Sequence, residues 1–284
     1  MLLQVPRAGY VSAVSCEACR EPARCPRCAR VMRGERASGP LQLVCGSCGP
    51  LAGTWRCPSC GGGALRGPRV GVRRTAEELG KAFPQTRVIE SWSGHLVDAV
   101  GDEPALVLAT PGAEPAAFGG YSAAILLDTW LLLSRPELRA AEEALRRWLA
   151  VCGQVRPASA GGTVMAVGET DARALQALVR LDPVGFAARE LAERRATGFP
   201  PASKLVTVEG PRTAVDAYAV ALATIGGAER FGPVLIGDET WRLTARAELD
   251  LTPALLAALR QESGTRSAAK LPAVRVRVDP QVID

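Results

Sequence analysis

The pattern of apolar and polar positions between residues 75 and 200 is typical of a domain in which strands and helices alternate. The runs ALVLAT (105–110) and AAILLD (123–128) are almost continuously apolar, as expected of strands that are buried on both faces of a parallel sheet. Amphipathic stretches separate these runs, as expected of helices that cover a sheet. The predicted elements are strands at 87–90, 105–110, 123–128 and 161–168 and helices at 75–83, 136–151, 171–179 and 183–196. Together they predict an α/β domain with a doubly wound parallel sheet.

The pattern changes after the segment GFPP (198–201). KLVTVEG (204–210) alternates between apolar and polar residues and predicts a strand. VRVRVDP (274–280) alternates strictly, so it predicts a strand with one buried and one exposed face. The elements predicted between them are helices at 213–225 and 253–260 and strands at 234–236 and 241–247. The resulting order β-α-β-β-α-β is that of the split ferredoxin-like fold. We therefore predict a separate small α+β domain over residues 201–284.

Eight of the nine cysteines lie within the first 60 residues. They form four C-x-x-C pairs, which are Cys16/Cys19, Cys25/Cys28, Cys45/Cys48 and Cys57/Cys60. This spacing lets a tight turn direct both sulfurs at one metal ion. A disulfide framework in a secreted protein is the alternative, but the N-terminus has neither the charged start nor the apolar core of a signal peptide. No run of about 18 apolar residues predicts a membrane span either. We therefore predict a cytoplasmic chain that keeps its cysteines reduced, binds two Zn²⁺ ions and has no membrane partner.

Spacing alone leaves open which cysteine pairs share an ion. Cys28 and Cys45 enclose 16 residues, which fits a zinc ribbon built on a hairpin with one knuckle at each end. This favours a nested arrangement, in which the second and third pairs hold one ion and the first and fourth pairs hold the other. Sequential pairing and an interleaved cross-brace are the alternatives. Gly49 and Gly61 each follow the second cysteine of a pair, where a tight turn often needs a positive φ.

Formal charge separates the cysteine segment from the rest of the chain. The whole chain carries +5, but residues 1–74 contain 12 Arg and three Glu, whereas residues 75–284 have a net charge of −4. Six arginines recur every three or four residues within the cysteine segment: Arg20, Arg24, Arg27, Arg30, Arg33 and Arg36. Because arginine offers bidentate donors to phosphate oxygens, this row predicts a surface that contacts DNA. The alternative is that the arginines offset the thiolates, since two tetrathiolate zinc sites would bring the chain to about +1.

Other side chains offer little chemistry. His95 is the single histidine, so His-cluster metal sites and Cys2His2 fingers are excluded. We expect His95 near a helix start in a solvated or capping role, and Cys152 as a small core residue. Trp55, which lies beside Cys57, is expected to pack against the metal module rather than to stack on a base.

Several segments resemble the PriA family of bacterial replication restart proteins. They are RAGY (7–10), the four cysteine pairs, GVRRTAEELGKAFP (71–84), RPELRAAEEALRRW (135–148), DPVGFAARELAERRATGFPP (182–201), FGPV (231–234) and the terminal VRVRVDP. The resemblance covers almost the whole chain and implies a second RecA-like helicase lobe over residues 1–15 and 62–200. A two-zinc insertion over 16–61 interrupts this lobe, and a C-terminal domain over 201–284 follows it. By the same resemblance the chain begins within an early strand of the lobe, so we expect Met1 to expose a sheet edge.

The resemblance also implies ligands, partners and a function. The implied zinc sites are nested, with one ion on Cys16, Cys19, Cys57 and Cys60 and the other on Cys25, Cys28, Cys45 and Cys48. The family binds forked or single-stranded DNA at abandoned replication forks and, with primosome proteins, helps to reload the replicative helicase. A protein of this kind is expected in the cytoplasm, associated with the nucleoid.

The motor motifs of the family are missing or degenerate here, as they are in its high-GC actinobacterial members. Active members carry a GTQM-x-x-KG-like motif where this chain reads ATPGAEPAAFGGYS (109–122), which has no lysine. The AGRAGR-like motif corresponds to VCGQVRP (151–157), which retains only Arg156, and no P-loop occurs. Asp128 resembles the family's acidic residue after its strand but lacks its partners. We therefore expect no catalytic residues and no ATP-driven unwinding. The alternatives are an ATPase lobe that another chain completes and a zinc-stabilised adaptor that binds only protein.

Overall fold

The computed structural model describes the chain except at residues 7–13, 30, 36–41, 46–48, 52, 67–71, 136, 169, 238 and 282–284. The chain divides into two compact units, Met1–Pro183 and Val184–Ile283. The division falls after the first residue of the helix Pro183–Thr197, whereas the sequence places the boundary after this helix, at residue 201. Within the described ranges, no helix is both long enough and apolar enough to cross a membrane.

The first unit contains short strands and four helices in its described part. The strands are β1 (Leu2–Gln4), β2 (Ser15–Cys16), β3 (Arg33–Glu35), β4 (Gln42–Cys45), β5 (Gly49–Pro50), β6 (Leu65–Arg66), β7 (Arg87–Ser91), β8 (Ala99–Val100), β9 (Ala105–Ala109), β10 (Ala116–Ala117), β11 (Ala123–Leu126) and β12 (Thr163–Ala166). The helices are α1 (Val72–Ala82), α2 (Thr129–Leu133), α3 (Ala140–Cys152) and α4 (Arg173–Arg180).

Five of these strands form a sheet in the order β12-β11-β1-β9-β7, and every neighbouring pair is parallel. The parallel sheet predicted from the near-continuous apolar runs is thus confirmed. The expectation that Met1 exposes a sheet edge is wrong, because β1 pairs with β9 on one side and with β11 on the other. The edges of the sheet are β7 and β12.

The sheet is buried on both faces near its centre. On one face Leu3 and Leu108 pack with Ala76 of α1 in one apolar cluster. Successive side chains of a strand point to opposite faces, and Leu2 and Val107, which neighbour these residues, are fully buried as well. Helix α3 contacts β11 and buries Leu145, Trp148 and Val151.

Two features of this unit differ from the prediction. Helix α3 begins at Ala140 rather than at 136, and the short helix α2 precedes it. Asp128, at φ +47°, turns the chain from β11 into α2, a change that the unbroken apolar run conceals in the sequence. His95 lies at a tight turn rather than at a helix start, since its N–H donates to the carbonyl of Trp92 at 2.8 Å and its carbonyl accepts from the N–H of Trp92 at 3.0 Å.

The second unit carries the predicted order of elements. Its helices are α5 (Pro183–Thr197), α6 (Arg212–Ala223) and α7 (Thr252–Ala268), and its strands are β13 (Lys204–Gly210), β14 (Glu229–Leu235), β15 (Trp241–Ala247) and β16 (Arg275–Val278). The sheet is antiparallel in the order β14-β15-β13-β16. Val206, Val208 and Leu243 of the sheet pack with Val215 of α6 and Leu255 of α7 in one buried cluster. Helix α7 continues past the predicted end at 260 to Ala268. The sequence does not indicate this extension, because the last two turns are mostly exposed and show no apolar periodicity.

Candidate metal-binding site

The structure brings the cysteines together in two clusters. The Sγ atoms of Cys16, Cys19, Cys57 and Cys60 all lie within 4.8 Å of one another, and so do those of Cys25, Cys28 and Cys45. Cys48 lies outside the described residues. The first cluster contains the cysteines that the nested arrangement assigns to the outer ion, and the second contains three of the four that it assigns to the inner ion.

Short antiparallel strands produce this nesting. Strands β2 and β6 pair Cys16 with Leu65 and so join the two ends of the cysteine segment. Strands β3 and β4 form a hairpin that carries Cys45 back to the pair Cys25/Cys28. The hairpin predicted from the spacing of the middle pairs therefore exists in the structure.

The separations within the clusters suit one ion in each. The Sγ–Sγ distances of Cys16–Cys60, Cys19–Cys57 and Cys28–Cys45 are each 3.5 Å. A disulfide would require about 2.05 Å, so these sulfurs are not bonded to each other. Four sulfurs about 2.3 Å from a tetrahedral ion lie about 3.8 Å apart, close to the observed values. Both clusters can therefore hold a metal ion.

The three described pairs share one local geometry. In each, the N–H of the residue after the second cysteine donates to the carbonyl of the first cysteine: Arg20 to Cys16 at 3.1 Å, Ala29 to Cys25 at 2.8 Å and Gly61 to Cys57 at 2.8 Å. That residue has a positive φ in every case, namely 68° at Arg20, 57° at Ala29 and 73° at Gly61. The expectation of a positive φ at Gly61 is confirmed, whereas no sequence pattern predicts a positive φ at Arg20 and Ala29.

Burial divides each pair in the same way. The first cysteine of each described pair is buried, and the second, which is Cys19, Cys28 or Cys60, is exposed. The buried sulfurs lie in a small core with Val14, Met32 and Trp55. Trp55 is 8 % exposed and packs inside the segment, as the sequence suggested.

The thiols of the outer cluster differ in pKa, because hydrogen bonds lower that of Cys16 and Cys57 whereas that of Cys19 and Cys60 is raised. The backbone N–H of Cys19 donates to the Cys16 sulfur and lowers the pKa of Cys16 to about 7, against the opposing effect of burial. At Cys19 the backbone N–H of Glu21 favours the thiolate, but burial and the neighbouring thiols together raise its pKa to about 12. Thiolates at this separation repel one another, so the ionisation of one thiol raises the pKa of its neighbours. A divalent cation between them reverses this relation, because it stabilises all four negative charges.

The predicted arginine row is only partly described. Arg30 and Arg36 lie outside the described residues. Arg20 and Arg27 are exposed on the turns of the first and second pairs, and Arg33 lies half-buried in β3. Arg24 is half-buried, 4.0 Å from Glu21, and its Nη1 donates to the carbonyl of Ala29 at 3.4 Å. Arg20 and Arg27 are thus displayed to solvent, whereas Arg24 also supports the turn of the second pair.

Two residues of the degenerate motor motifs make local contacts. The Nε of Arg156 lies 3.2 Å from the carbonyl oxygens of both Gly119 and Gly120 and donates to them. Asp128 is half-buried, and burial raises the pKa of its carboxyl group. The sequence missed a polar contact at the end of β1, where the side chain of Gln4 meets that of Glu114, since the two residues are 110 positions apart.

The chain is similar to one protein family model and to several bacterial proteins named as replication restart proteins. The family described as Primosomal protein N C-terminal domain matches residues 195–281. The chain is 42% identical over 301 residues to the Probable replication restart protein PriA of Mycobacterium leprae (strain TN), across 99% of this chain and 45% of that protein. A protein of the same name from Mycobacterium tuberculosis (strain CDC 1551 / Oshkosh) is 49% identical over 217 residues, across 76% of this chain and 33% of the relative. The Replication restart protein PriA of Bacillus subtilis (strain 168) is 29% identical over 215 residues, across 70% of this chain and 26% of the relative. The chain thus spans less than half the length of these relatives.

Proposed function

We propose that this chain, which belongs to the PriA family of replication restart proteins, acts in replication restart by binding forked DNA and helping to reload the replicative helicase. The observation that carries the proposal is the similarity to a named restart protein along 99% of the chain. The two cysteine clusters support it, because seven of the eight paired cysteines group as the family resemblance implies. Primosome proteins and the loading machinery of the helicase are the partners that we propose.

We assign Zn²⁺ to both cysteine clusters. Thiolate sulfur is a soft donor that favours zinc over magnesium or calcium, and the separations of 3.5 Å suit a tetrahedral ion. Cys16, Cys19, Cys57 and Cys60 would hold the outer ion, and Cys25, Cys28, Cys45 and Cys48 the inner one. A site closed by four cysteines has no open position for water or substrate, so the metal supplies folding free energy rather than catalysis.

We propose that the cysteine segment contacts the phosphates of DNA through its exposed arginines. Arg20 and Arg27 lie on the turns of two different cysteine pairs. A metal ion that holds each turn would fix the backbone position from which each arginine side chain extends. A tetrathiolate zinc site carries −2, so the arginines also offset this local charge. Because Arg24 donates to the carbonyl of Ala29, we assign it to the support of the turn before any contact with DNA.

We propose that this chain does not unwind DNA by itself. The segment after β9 has no lysine, and the Nε of Arg156 is directed at the carbonyl groups of Gly119 and Gly120, where it braces a turn. An arginine that acts in hydrolysis must instead reach the γ-phosphate. ATP hydrolysis that forked DNA stimulates and Arg156→Ala abolishes would favour the alternative of a motor lobe that another chain completes.

The proposal is tested by binding to forked DNA at increasing salt. Phosphate contact makes the affinity fall linearly with salt on a double-logarithmic scale, with a slope close to the number of phosphates neutralised. We expect Arg20→Ala with Arg27→Ala to weaken binding and to reduce the slope by about 2, or about one unit for each arginine. Fluorescence anisotropy with a labelled fork between 50 and 200 mM salt measures both quantities.

Arg87→Ala is the matched control, because Arg87 is an exposed arginine outside the cysteine segment. Its slope is expected to equal that of the unaltered chain. An affinity that does not depend on salt would contradict phosphate contact and favour the adaptor that binds only protein. Equal slopes for the double variant and the unaltered chain would show that Arg20 and Arg27 do not contact the phosphates of DNA.

A further inference from the structure

Two sulfurs of the outer cysteine cluster lie close together but differ in their access to solvent. The Sγ atoms of Cys16 and Cys60 are 3.5 Å apart, although the two residues are 44 positions apart in the chain. Cys60 is exposed, whereas Cys16 is fully buried. A small reagent in the solvent can therefore reach the sulfur of Cys60 first, while the sulfur of Cys16 lies protected next to it.

Gly62 leaves this pair of sulfurs uncovered. A Cβ placed on Gly62 would lie 3.3 Å from Sγ of Cys60 and 3.4 Å from Sγ of Cys16, so a side chain here would cover both sulfurs at once. Gly62 does not have a positive φ, unlike Gly61 before it, so the backbone conformation does not itself require glycine. The missing side chain at Gly62 thus affects the sulfurs rather than the strain of the backbone.

The other exposed cysteine of the outer cluster has a larger neighbour at the corresponding position. The N–H of Gly62 donates to the sulfur of Cys60, and the N–H of Glu21 donates to the sulfur of Cys19. The residue two positions after the second cysteine is therefore glycine in one pair and a long, charged side chain in the other. Of the two exposed sulfurs in the outer cluster, that of Cys60 is the less shielded.

We infer that Cys60 is a site of oxidation by a peroxide, and that Cys16 completes the reaction as the resolving thiolate and so opens the outer zinc site. The thiolate of Cys60 attacks one peroxide oxygen, the O–O bond breaks, and a sulfenic acid forms as hydroxide leaves. The thiolate of Cys16 then attacks the sulfur of Cys60 and displaces a second hydroxide, which forms the disulfide. Each sulfur gives up one electron and the peroxide accepts both, while two protons from solvent convert the hydroxides into water.

The disulfide would remove two of the four ligands of the outer zinc site. Thiolates bind metal ions, whereas the sulfurs of a disulfide carry no charge, so we expect the outer ion to leave. Arg20 follows Cys19 in the turn that this ion would hold, so oxidation should also weaken the contact with DNA. The inference thus rests on the zinc sites and the DNA contact proposed above. A dithiol reductant reverses the reaction by thiol–disulfide exchange.

The test treats the full zinc-loaded chain with hydrogen peroxide. We expect release of one zinc ion per chain, followed with a chromogenic chelator, and a disulfide between the peptides that contain Cys16 and Cys60, identified by mass spectrometry. Binding to a labelled fork should fall in parallel, and a dithiol with added zinc should restore it. A disulfide between Cys57 and Cys60, or zinc release without any disulfide at Cys60, would overturn the inference.

Two glycine variants test the access route without removing a ligand. Gly62→Ala should release zinc severalfold more slowly at equal peroxide, because its Cβ covers both sulfurs. Gly63→Ala is the matched control, since the atoms nearest to a Cβ there belong to Arg56 and Trp55, and it should match the unaltered chain. Equal rates for the two variants would contradict the inference. If Gly62→Ala does not fold, the position of the disulfide in the unaltered chain decides the question.

A further control separates this inference from the proposed function. Cys152→Ser removes the cysteine outside both clusters and should change neither the rate of zinc release nor the position of the disulfide. Zinc release and the disulfide are both measured without DNA. A chain that fails to bind the fork before oxidation, yet forms the disulfide between Cys16 and Cys60, would contradict the proposed DNA contact and support the oxidation site.

Discussion

Ala29 and Gly61 each follow the second cysteine of a pair. They differ in the free energy that a positive φ costs the residue. Both have a positive φ, and both donate their N–H to the first cysteine of the pair. An L-residue with a Cβ pays about 1–2 kcal/mol for this conformation, whereas glycine adopts it freely. The hydrogen bond and the direction of the two sulfurs require this φ, so the strain at Ala29 is a cost of placing the ligands.

We predict that Ala29→Gly stabilises the chain by about 0.5 kcal/mol and that Gly61→Ala destabilises it by about 1 kcal/mol. No atom lies within 4 Å of a Cβ at Gly61, so backbone strain alone sets the second value. Denaturant unfolding with saturating metal measures both changes. Ala18→Gly is the control, because Ala18 lies in a cysteine pair but does not have a positive φ, and it should destabilise. Equal signs for Ala18→Gly and Ala29→Gly would contradict the argument.

Arg194 is a second residue whose structural role is evident only from its contacts. It belongs to the ELAERR segment that resembles the PriA family, and it is 6 % exposed. Its Nη1 donates to the carbonyl of Pro200 at 2.9 Å, and its own carbonyl accepts from the N–H of Phe199 at 2.8 Å. This arginine therefore connects the end of α5 to the GFPP segment, so its charged side chain has a structural role.

At the scale of an element, α3 depends on its first turn as well as on its apolar face. Glu143 accepts hydrogen bonds from Arg146, at 2.7 and 2.8 Å, and from Nε of Arg147 at 2.6 Å. The carboxylate also lies near the helix N-terminus, where the partial positive charge of the backbone favours an anion. Hydrogen bonding from Arg146, followed by that from Arg147, lowers the pKa of Glu143 to about 2.

We predict that Glu143→Gln removes a contribution to stability that depends on pH. The pKa of Glu143 is lower in the folded chain than the ordinary value of 4.5, so its contribution is fully present above about pH 4.5 and is lost as the pH falls towards 2. The variant should therefore be less stable than the unaltered chain at pH 7, and the difference should shrink between pH 4.5 and 2. Urea unfolding followed by circular dichroism at several pH values measures this difference. A gap that is constant across that range would contradict the assigned hydrogen bonds.

At the scale of the whole molecule, the second unit and the cysteine segment have separate cores that differ in composition. The second unit packs α6 and α7 on one sheet around an apolar core, in which Val206, Tyr218 and Leu222 are fully or almost fully buried. The cysteine segment has a few apolar residues around four buried sulfurs and strands of two to four residues. A core this small does not offset the entropy of ordering the segment, so we expect its folding to depend on metal ions bound by the two cysteine clusters.

We predict two zinc ions per chain and selective unfolding of the cysteine segment when they are removed. After treatment with a chelator, hydrogen exchange should become fast in residues 14–66 and stay slow in the sheet between residues 204 and 278. Mass spectrometry of peptides from both regions measures the difference. Cys45→Ser should reproduce the effect without chelator, whereas Cys152→Ser, outside both clusters, should not. A count near one ion per chain would contradict the nested assignment.

The sequence by itself determined the parts of this protein that depend on local spacing and periodicity. Apolar runs such as 105–110 identified buried parallel strands, and C-x-x-C spacing identified the cysteines that cluster. The alternation at 274–280 identified the strand β16 but not its burial, because Val278 is exposed and Arg277 is half-buried. These patterns are reliable because each follows from the repeat of one strand, helix or turn.

Only the tertiary structure decided which distant residues meet. It placed β1 in the centre of the sheet, since strand order depends on pairing between segments more than 100 residues apart. It showed that Arg20 and Ala29 have the positive φ that glycine usually adopts, because the positions of the two sulfurs in each pair require it. It also brought Glu114 to Gln4 at the sheet edge, a contact between two polar residues that no periodicity marks. Long-range packing and hydrogen bonding, which a single sequence does not display, account for each of these features.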